Sequence, residues 1–348
     1  MSRANESKMY REALQAPTAV ERLLRENRGE VESLAGYLRR NPPPFALTVA
    51  RGSSDHAALY GKYLVESLLG VVVSSATPSV TTVYGASLSL NKALLIALSQ
   101  SGQSPDLLEV TRQARRGGAL TVAFVNQEAS PLAQVAEVVF PLWAGEEEAV
   151  AATKSYLATL AALAQLVAYW ADDRGLKDAL AMLPEAMHQA SEADWSAGLE
   201  PLAECDNALV VGRGYAFAVA HELALKLKET GALHAEAMSG AELLHGPVAL
   251  VEPGFPLLAL VPRDRPMPGM VALLENLRTK GAHLLVASSE GEALELAHTP
   301  LPLPTRLHPV LDSILIAQAF YPFAAHLSFA RGFNPDAPRN LSKVTRTH

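Results

Sequence analysis

The feature that most constrains the fold is an alternation of short apolar runs with longer helical segments, which occurs twice in the same order. In the first half, apolar runs at residues 93–97 and 120–125 are separated by a helical pattern. The runs at residues 257–261 and 282–287 repeat this arrangement about 160 residues later. Alternating strands and helices are typical of parallel sheets. We therefore predict an α/β protein of two tandem domains, each a parallel sheet flanked by helices on both faces.

The predicted boundaries divide the chain into four segments. Residues 1–44 are predicted to form a helical arm that docks on the first domain and ends at three consecutive prolines. The first α/β domain covers residues 45–180, and the second covers residues 200–335. The remaining residues, 336–348, form a C-terminal tail. We assign no chemistry to the arm.

Composition excludes several classes of protein. The net charge of −7 argues against a nucleic-acid surface, which needs a basic stripe. A single cysteine, Cys205, excludes a disulfide framework and fits a reducing cytoplasm. Residues 1–10 lack the apolar core of a signal peptide. The longest apolar run, at residues 156–170, is short for a membrane span. We therefore predict a cytoplasmic protein that binds neither nucleic acid nor membrane.

A hydroxyl-rich stretch at residues 99–104 follows one of the apolar runs and precedes a helix. Parallel sheets bind ligands at the carboxyl ends of their strands, and a helix N-terminus favours an anion. We therefore predict a phosphate cradle here; the alternative is a serine-rich turn that only caps a helix. Residues 51–54 follow a strand that we expect to be a neighbour, and they add two more hydroxyl groups. The second half has Pro262, Arg263 and Asp264 at the equivalent position, so we predict one phosphate site per chain.

Titratable side chains are concentrated in the second half. Lys226 and Glu229 are three residues apart and share a helix face, which suits a general base held beside an ammonium group. The alternative is an ordinary surface ion pair. His245 precedes a Gly-Pro pair, where a histidine either exchanges protons near neutral pH or simply packs into a turn.

The sequence predicts neither a metal nor a redox cofactor. No H-E-x-x-H pattern or comparable spacing of metal ligands is present. The stretch Gly212-Arg213-Gly214 follows a strand, but the third glycine and the acidic residue of a dinucleotide-binding motif are missing.

Several motifs in the same order resemble the isomerase part of glucosamine-6-phosphate synthase, which is built from two sugar isomerase (SIS) domains. The resemblance runs from about Ala46 to the C-terminus. Besides residues 51–54 and 98–102, it is carried by residues 153–154, 225–229, 234–237, 242–247 and 338–343.

The resemblance implies a hexose 6-phosphate ligand and a homodimer. It implies that Glu229 is the base that moves a proton between C1 and C2, with Lys226 beside it. His245 would open the sugar ring from the neighbouring subunit, and Lys343 would lie at the reactive end of the sugar. The implied substrate-binding residues are Ser53, Ser54, Ser99, Gln100, Ser101, Ser104, Val150, Ala152 and Ser342.

Departures from the synthase pattern narrow the expected activity. The chain begins Met1-Ser2-Arg3, without the glutaminase domain and its N-terminal cysteine. Ala152 stands where the synthase has serine, and Leu244 replaces a lysine. The chain is thus similar to the SIS-family deaminases, which convert glucosamine 6-phosphate to fructose 6-phosphate and ammonia. Alternatives are an isomerase or deglycase for another phosphosugar amine, an ammonia-dependent synthase, and a non-catalytic sugar-phosphate sensor.

Overall fold

The computed structural model describes residues 3–343 and contains two parallel sheets surrounded by helices. The strands are β1 (Ala46–Val49), β2 (Val73–Ser75), β3 (Leu94–Ser99), β4 (Leu120–Val125), β5 (Val138–Pro141), β6 (Asn207–Gly212), β7 (His234–Ser239), β8 (Pro256–Leu260), β9 (His283–Ser288) and β10 (Thr299–Pro302). The helices are α1 (Lys8–Glu26), α2 (Arg28–Arg40), α3 (Ser53–Leu69), α4 (Pro78–Thr82), α5 (Pro105–Arg116), α6 (Pro131–Val135), α7 (Lys154–Trp170), α8 (Arg174–Ser191), α9 (Leu199–Ala203), α10 (Tyr215–Gly231), α11 (Met267–Thr279), α12 (Gly291–Leu294) and α13 (Pro309–Ala330).

The two sheets have the same topology. The first has the strand order β2-β1-β3-β4-β5, and the second has the order β7-β6-β8-β9-β10 when it is described from the same end. Every paired strand is parallel. The central strand β3 is buried along its whole length because helices cover both faces of the sheet, which explains its continuous apolar sequence. The predicted duplicated α/β fold is confirmed.

The duplication extends to backbone dihedral angles. Gly52 precedes α3 with φ 53° and ψ −133°, and Gly214 precedes α10 with φ 63° and ψ −132°. Only glycine adopts this region readily, because it has no Cβ. Both glycines follow an arginine at the end of the first strand of their sheet. The same sharp turn therefore leads from strand to helix in each half.

The described residues form two compact units, which we name after their sheets. The first-sheet unit contains residues 18–147, 155–181 and 342–343. The second-sheet unit contains residues 3–17, 148–154 and 182–341. This division separates the predicted arm into two parts, because residues 3–17 belong with the second sheet.

Contacts made by the first part of α1 explain why that part, up to residue 17, belongs to the second-sheet unit. The carboxylate of Asp336 accepts hydrogen bonds from the backbone N–H groups of Lys8 (2.8 Å) and Met9 (3.0 Å), so it caps the N-terminus of α1. Farther along the helix, the buried amide of Gln318 donates to the carbonyl of Ala13 at 3.0 Å. Both partners lie far along the chain, so no local sequence pattern predicts the docking.

The closing helix α13 is the core element of the second-sheet unit. It is 22 residues long and apolar enough by length and composition to cross a membrane, but 94% of its most apolar window is buried inside the protein. A helix that is apolar on all sides and enclosed in this way is a core helix.

The cradle turn at residues 99–104 is packed tightly against the start of α6. Gly102 has φ +63°, and its carbonyl accepts a hydrogen bond from the backbone N–H of Leu132 at 3.1 Å. A Cβ at Gly102 would lie only 2.5 Å from the Cβ of buried Ser130. Both the backbone conformation and the close approach therefore require glycine.

We expect Gly102→Ala to lower the urea midpoint of unfolding more than Gly145→Ala does. Gly145 has a similar φ of +69° but nothing within 4 Å of its added Cβ, so its substitution carries only the backbone strain of about 1–2 kcal/mol. Gly102→Ala adds a clash with Ser130 to the same strain. Equal midpoints for the two variants would contradict the close packing of the cradle turn.

Candidate active site

The cradle turn presents hydroxyl groups at the carboxyl end of β3. The Oγ of Ser99 accepts a hydrogen bond from the backbone N–H of Gly102 at 3.0 Å. The Oγ of Ser101 accepts a longer one from the N–H of Gln103 at 3.4 Å. Ser104 occupies the N-cap position of α5, but its side chain makes no capping bond. Since a hydroxyl that accepts a hydrogen bond can still donate its proton, this turn offers donors to an anion.

The loop after β1 lies beside the cradle turn because β1 and β3 are paired neighbours. Arg51 donates through Nε (2.9 Å) and Nη2 (2.7 Å) to Oδ2 of Asp106, whose side chain is 1% exposed in the first turn of α5. This ion pair ties the two loops together. Ser53 and Ser54 form the start of α3, so two helix N-termini meet at the point where the strand order reverses. The structure thus brings six of the predicted substrate-binding residues to one sheet edge: Ser53, Ser54, Ser99, Gln100, Ser101 and Ser104.

The equivalent crevice of the second sheet contains a carboxylate of the protein itself. A Cβ at Gly214 would lie 3.3 Å from Oδ2 of Asp264 and 3.1 Å from Cγ of Pro266. An acidic group and a proline ring therefore border the N-terminus of α10, where the first sheet has hydroxyl groups. A negative charge in this place disfavours a phosphate.

Three charged side chains form a row along α10. The Nζ of Lys226 lies 2.5 Å from Oε2 of Glu229 and 3.4 Å from Oε1 of Glu222. The side chains of Lys226 and Glu222 are 1% and 0% exposed, whereas that of Glu229 is 22% exposed. Tyr321 of α13 donates from its hydroxyl to Oε1 of Glu222 at 3.1 Å. Glu229 is therefore the carboxylate of the row that reaches the surface.

The row keeps Lys226 charged. Burial acts to lower the pKa of Lys226, but the carboxylates of Glu222 and Glu229 outweigh burial and raise its pKa above the ordinary value. The resulting ammonium group orients the side chain of Glu229. Glu222 is not among the residues predicted from the sequence, although its spacing of four residues from Lys226 on an apolar helix is a usable signal.

His245 lies on the surface of the second-sheet unit. It ends a short 3-10 helix, Glu242–His245, and is followed by Gly246 with φ +135°. The side chain of His245 is exposed, and the neighbouring Leu244 is 52% exposed. An exposed leucine beside an exposed histidine is a feature of this loop that the sequence did not predict.

The segment that contains Val150 and Ala152 is held by the N-terminal helix. Both residues are partly exposed, while the residues between and beside them are buried. The buried carboxylate of Glu12 accepts hydrogen bonds from the backbone N–H groups of Glu148 (2.5 Å) and Ala149 (3.2 Å). The arm to which no chemistry was assigned therefore supports a predicted sugar-contact segment.

Lys343 belongs to the first-sheet unit, where its Nζ lies 3.4 Å from Oε2 of buried Glu147. The preceding residue, Ser342, is exposed. Glu147 also went unnoticed in the sequence, because it lies in a run of three glutamates that is typical of a solvated surface. Within residues 3–343 no group of three or more His, Cys, Asp or Glu side chains is arranged to hold a metal ion.

We expect Lys226→Met to destabilise the protein by about 3–5 kcal/mol, since it leaves the buried carboxylate of Glu222 without its cation. Unfolding midpoints in urea measure the loss, and Lys228→Met, at an exposed position of the same helix, is the matched control. Because the pKa of Lys226 is raised on folding, its contribution is present at neutral pH and declines as pH rises through the folded value. A difference below 1 kcal/mol between the two variants would contradict the buried row.

Comparisons with known proteins agree with this architecture. The SIS domain family matches residues 46–169 and 201–310, which cover the two sheets. The glutamine–fructose-6-phosphate aminotransferase (isomerizing) of Thermococcus kodakarensis is 32% identical over 346 residues, which are 96% of this chain. The match covers 57% of that relative, so the chain spans little more than half of its length.

Two solved structures resemble the chain over nearly its whole length. One, from Silicibacter pomeroyi DSS-3 and assigned as a phosphosugar isomerase, is 41% identical with a TM-score of 0.87, covering 95% of this chain and all of that one. The other is the C-terminal domain of glucosamine-fructose-6-phosphate aminotransferase from Francisella tularensis. It is 25% identical with a TM-score of 0.87, covering 97% of this chain and 99% of that domain. With both sheets matched by the same family, the chain belongs to the SIS domain family.

Proposed function

We propose that the protein is a phosphosugar isomerase that converts glucosamine 6-phosphate and water to fructose 6-phosphate and ammonia. The observation that carries this proposal is the row on α10, in which buried Lys226 holds the partly exposed carboxylate of Glu229. A protein that only senses sugar phosphates needs an anion site, but it has no use for a fully buried ammonium group beside an exposed carboxylate. Burial of the ammonium group costs desolvation free energy, and a role in proton transfer explains better why the protein has such a group.

In this mechanism the phosphate is bound by the cradle turn and residues 51–54. The hydroxyl groups of Ser99 and Ser101, together with the N-termini of α3 and α5, supply donors and partial positive charge. The phosphate is remote from the reacting carbons, so its binding energy serves to hold the sugar in place for the proton transfer.

Glu229 then moves one proton along the open-chain sugar. It removes the proton from C2, and the electron pair of that C–H bond forms the C1–C2 double bond while the C1 oxygen takes a proton from solvent. Return of the first proton from Glu229 to C1 gives a C2 iminium ion. Water adds to C2 and releases one proton to solvent, and the C2–N bond then breaks as the hydroxyl proton moves to nitrogen and ammonia leaves. Lys226 and Lys343 offset negative charge near C1 and C2, as the family resemblance implies.

His245 is proposed to open the pyranose ring of a substrate bound to the neighbouring copy in a homodimer. Two features support this assignment: the imidazole is exposed, and exposed leucines, Leu244 and Leu250, lie on the same loop. Apolar side chains that protrude together are typical of an interface. A second subunit covers them and receives the histidine.

A second candidate, a deglycase that releases a substituted amine, is favoured by a cavity beside Glu229. The cavity has a volume of about 230 Å³. Ammonia is similar in size to water, which needs only about 10–15 Å³ of cavity volume measured in this way. The excess space suits a larger leaving group. The residues that line it include Lys228, Glu229, Phe333, Asn334, Arg339 and Leu341.

We expect the purified protein to release ammonia from glucosamine 6-phosphate, and we expect Glu229→Gln to reduce turnover by about 10³-fold while retaining sugar-phosphate binding. A coupled ammonia assay and calorimetric binding measure the two effects. Galactosamine 6-phosphate, N-acetylglucosamine 6-phosphate and a fructosamine 6-phosphate serve as comparators. The control Glu275→Gln, at an exposed position on α11, should be fully active.

The outcomes separate the candidates. Amine release from only the fructosamine compound would replace the deaminase with the deglycase. Binding without release from any compound would contradict both and favour a sensor. Loss of binding in Glu229→Gln would assign Glu229 a structural role.

A mixture of two inactive variants tests the shared site. If His245 acts across a twofold interface, subunit exchange between Glu229→Gln and His245→Asn gives heterodimers with one intact site. Random pairing then restores about a quarter of the wild-type activity. No recovery after exchange, with heterodimers detected by mass, would show that His245 acts within its own chain or not at all.

A further inference from the structure

We infer that Glu147 is a positioning residue that holds the ammonium group of Lys343 for the reaction. This inference rests on the proposed function for its catalytic consequence, but its structural part is independent of it. Glu147 ends the stretch of the first-sheet unit that follows β5, whereas Lys343 lies almost at the other end of the chain. Their contact therefore joins Lys343 to the stretch that follows β5 within the same unit.

The carboxylate of Glu147 is itself rigidly held. Its Oε1 accepts the backbone N–H of Ser155 at 3.1 Å, and its Oε2 accepts the hydroxyl of Ser155 at 2.6 Å. Ser155 lies in the first turn of α7, so the carboxylate also interacts favourably with the positive end of the helix dipole. The Glu147 side chain is 0% exposed and both of its oxygens accept hydrogen bonds, so its orientation is fixed.

Lys343 receives its orientation from this carboxylate. The Nζ of Lys343 lies 3.4 Å from Oε2 of Glu147, and the lysine side chain is 26% exposed. A pair with one member fully buried is screened by salt much less than a surface pair. Lysine has a long flexible side chain, so a fixed counter-charge removes much of its freedom before substrate binds.

The neighbours of Glu147 show that its burial is specific. Glu146 and Glu148 flank it in the sequence and are both exposed. Only the middle carboxylate of the run points inward, where it meets Ser155 and Lys343. A general acidic surface would not distinguish the three positions.

The test compares Glu147→Gln with Glu146→Gln, which removes the same charge one residue away. The glutamine amide can still bond to Ser155, so α7 keeps its first turn while Lys343 loses its counter-charge. Hydrogen exchange of the peptide that contains Lys343 reports on the tail without any assay of activity. We expect exchange to rise at least fivefold in Glu147→Gln and to stay unchanged in Glu146→Gln.

Steady-state kinetics on glucosamine 6-phosphate test the catalytic consequence. We expect Glu147→Gln to lower kcat by about tenfold or more, with KM changed less than twofold, because a misplaced group affects the chemical step. In a Lys343→Met background the same substitution should have no further effect on kcat. Additive losses would overturn the positioning role.

The two readouts distinguish failure of this inference from failure of the proposed function. Unchanged tail exchange in a folded Glu147→Gln protein overturns the inference whatever the enzyme does. If the wild type releases no amine, the exchange result still decides whether Glu147 holds Lys343. Should Glu147→Gln not fold, Glu147→Asp replaces it, since it keeps the charge but withdraws it from Lys343, and the same rise in exchange is expected.

Discussion

Parallel pairing of the strands is the constraint on which the candidate site depends. Since every parallel strand is followed by a crossover, all strands of a sheet end at one edge, and the helices that follow them begin there. In the first sheet this places the turn after β1 beside the turn after β3, and the Arg51–Asp106 ion pair joins the two. Hydroxyl groups from two distant stretches of sequence therefore converge without any direct sequence relation between them.

Pairs of one buried and one exposed charge recur in both units. Asp106, Glu147 and Lys226 are almost completely buried, and their partners are 50%, 26% and 22% exposed, respectively. A buried charge that lacks a partner is strongly destabilising, so each buried member holds its partner in place. The partners are Arg51, Lys343 and Glu229. Arg51 borders the cradle turn, Lys343 is the last described residue, and Glu229 is the proposed base. This arrangement keeps the more exposed member of each pair both accessible and fixed in position.

The two halves share the same backbone geometry but have different side chains at the carboxyl ends of their strands. Gly52 and Gly214 retain the same unusual dihedral angles, and both sheets have the same strand order. In one crevice the protein has serine hydroxyl groups, while in the other Asp264 lies beside the helix N-terminus. The proposed function uses this divergence, since it assigns the anion to the first sheet and proton transfer to α10 of the second unit.

The sequence by itself determined the alternation of strands and helices, the duplication and the face shared by Lys226 and Glu229, because these follow from local periodicity and helical spacing. It did not predict β7, whose sequence alternates with charged residues. It did not reveal Glu147 or Glu12, nor the docking of α1. Glu147 is bonded to Ser155 and to Lys343, and Lys343 is 196 residues away in the sequence. The docking of α1 depends on Asp336 and Gln318. Only the tertiary structure decided these contacts, since burial and charge pairing between distant segments leave no periodic pattern in the chain.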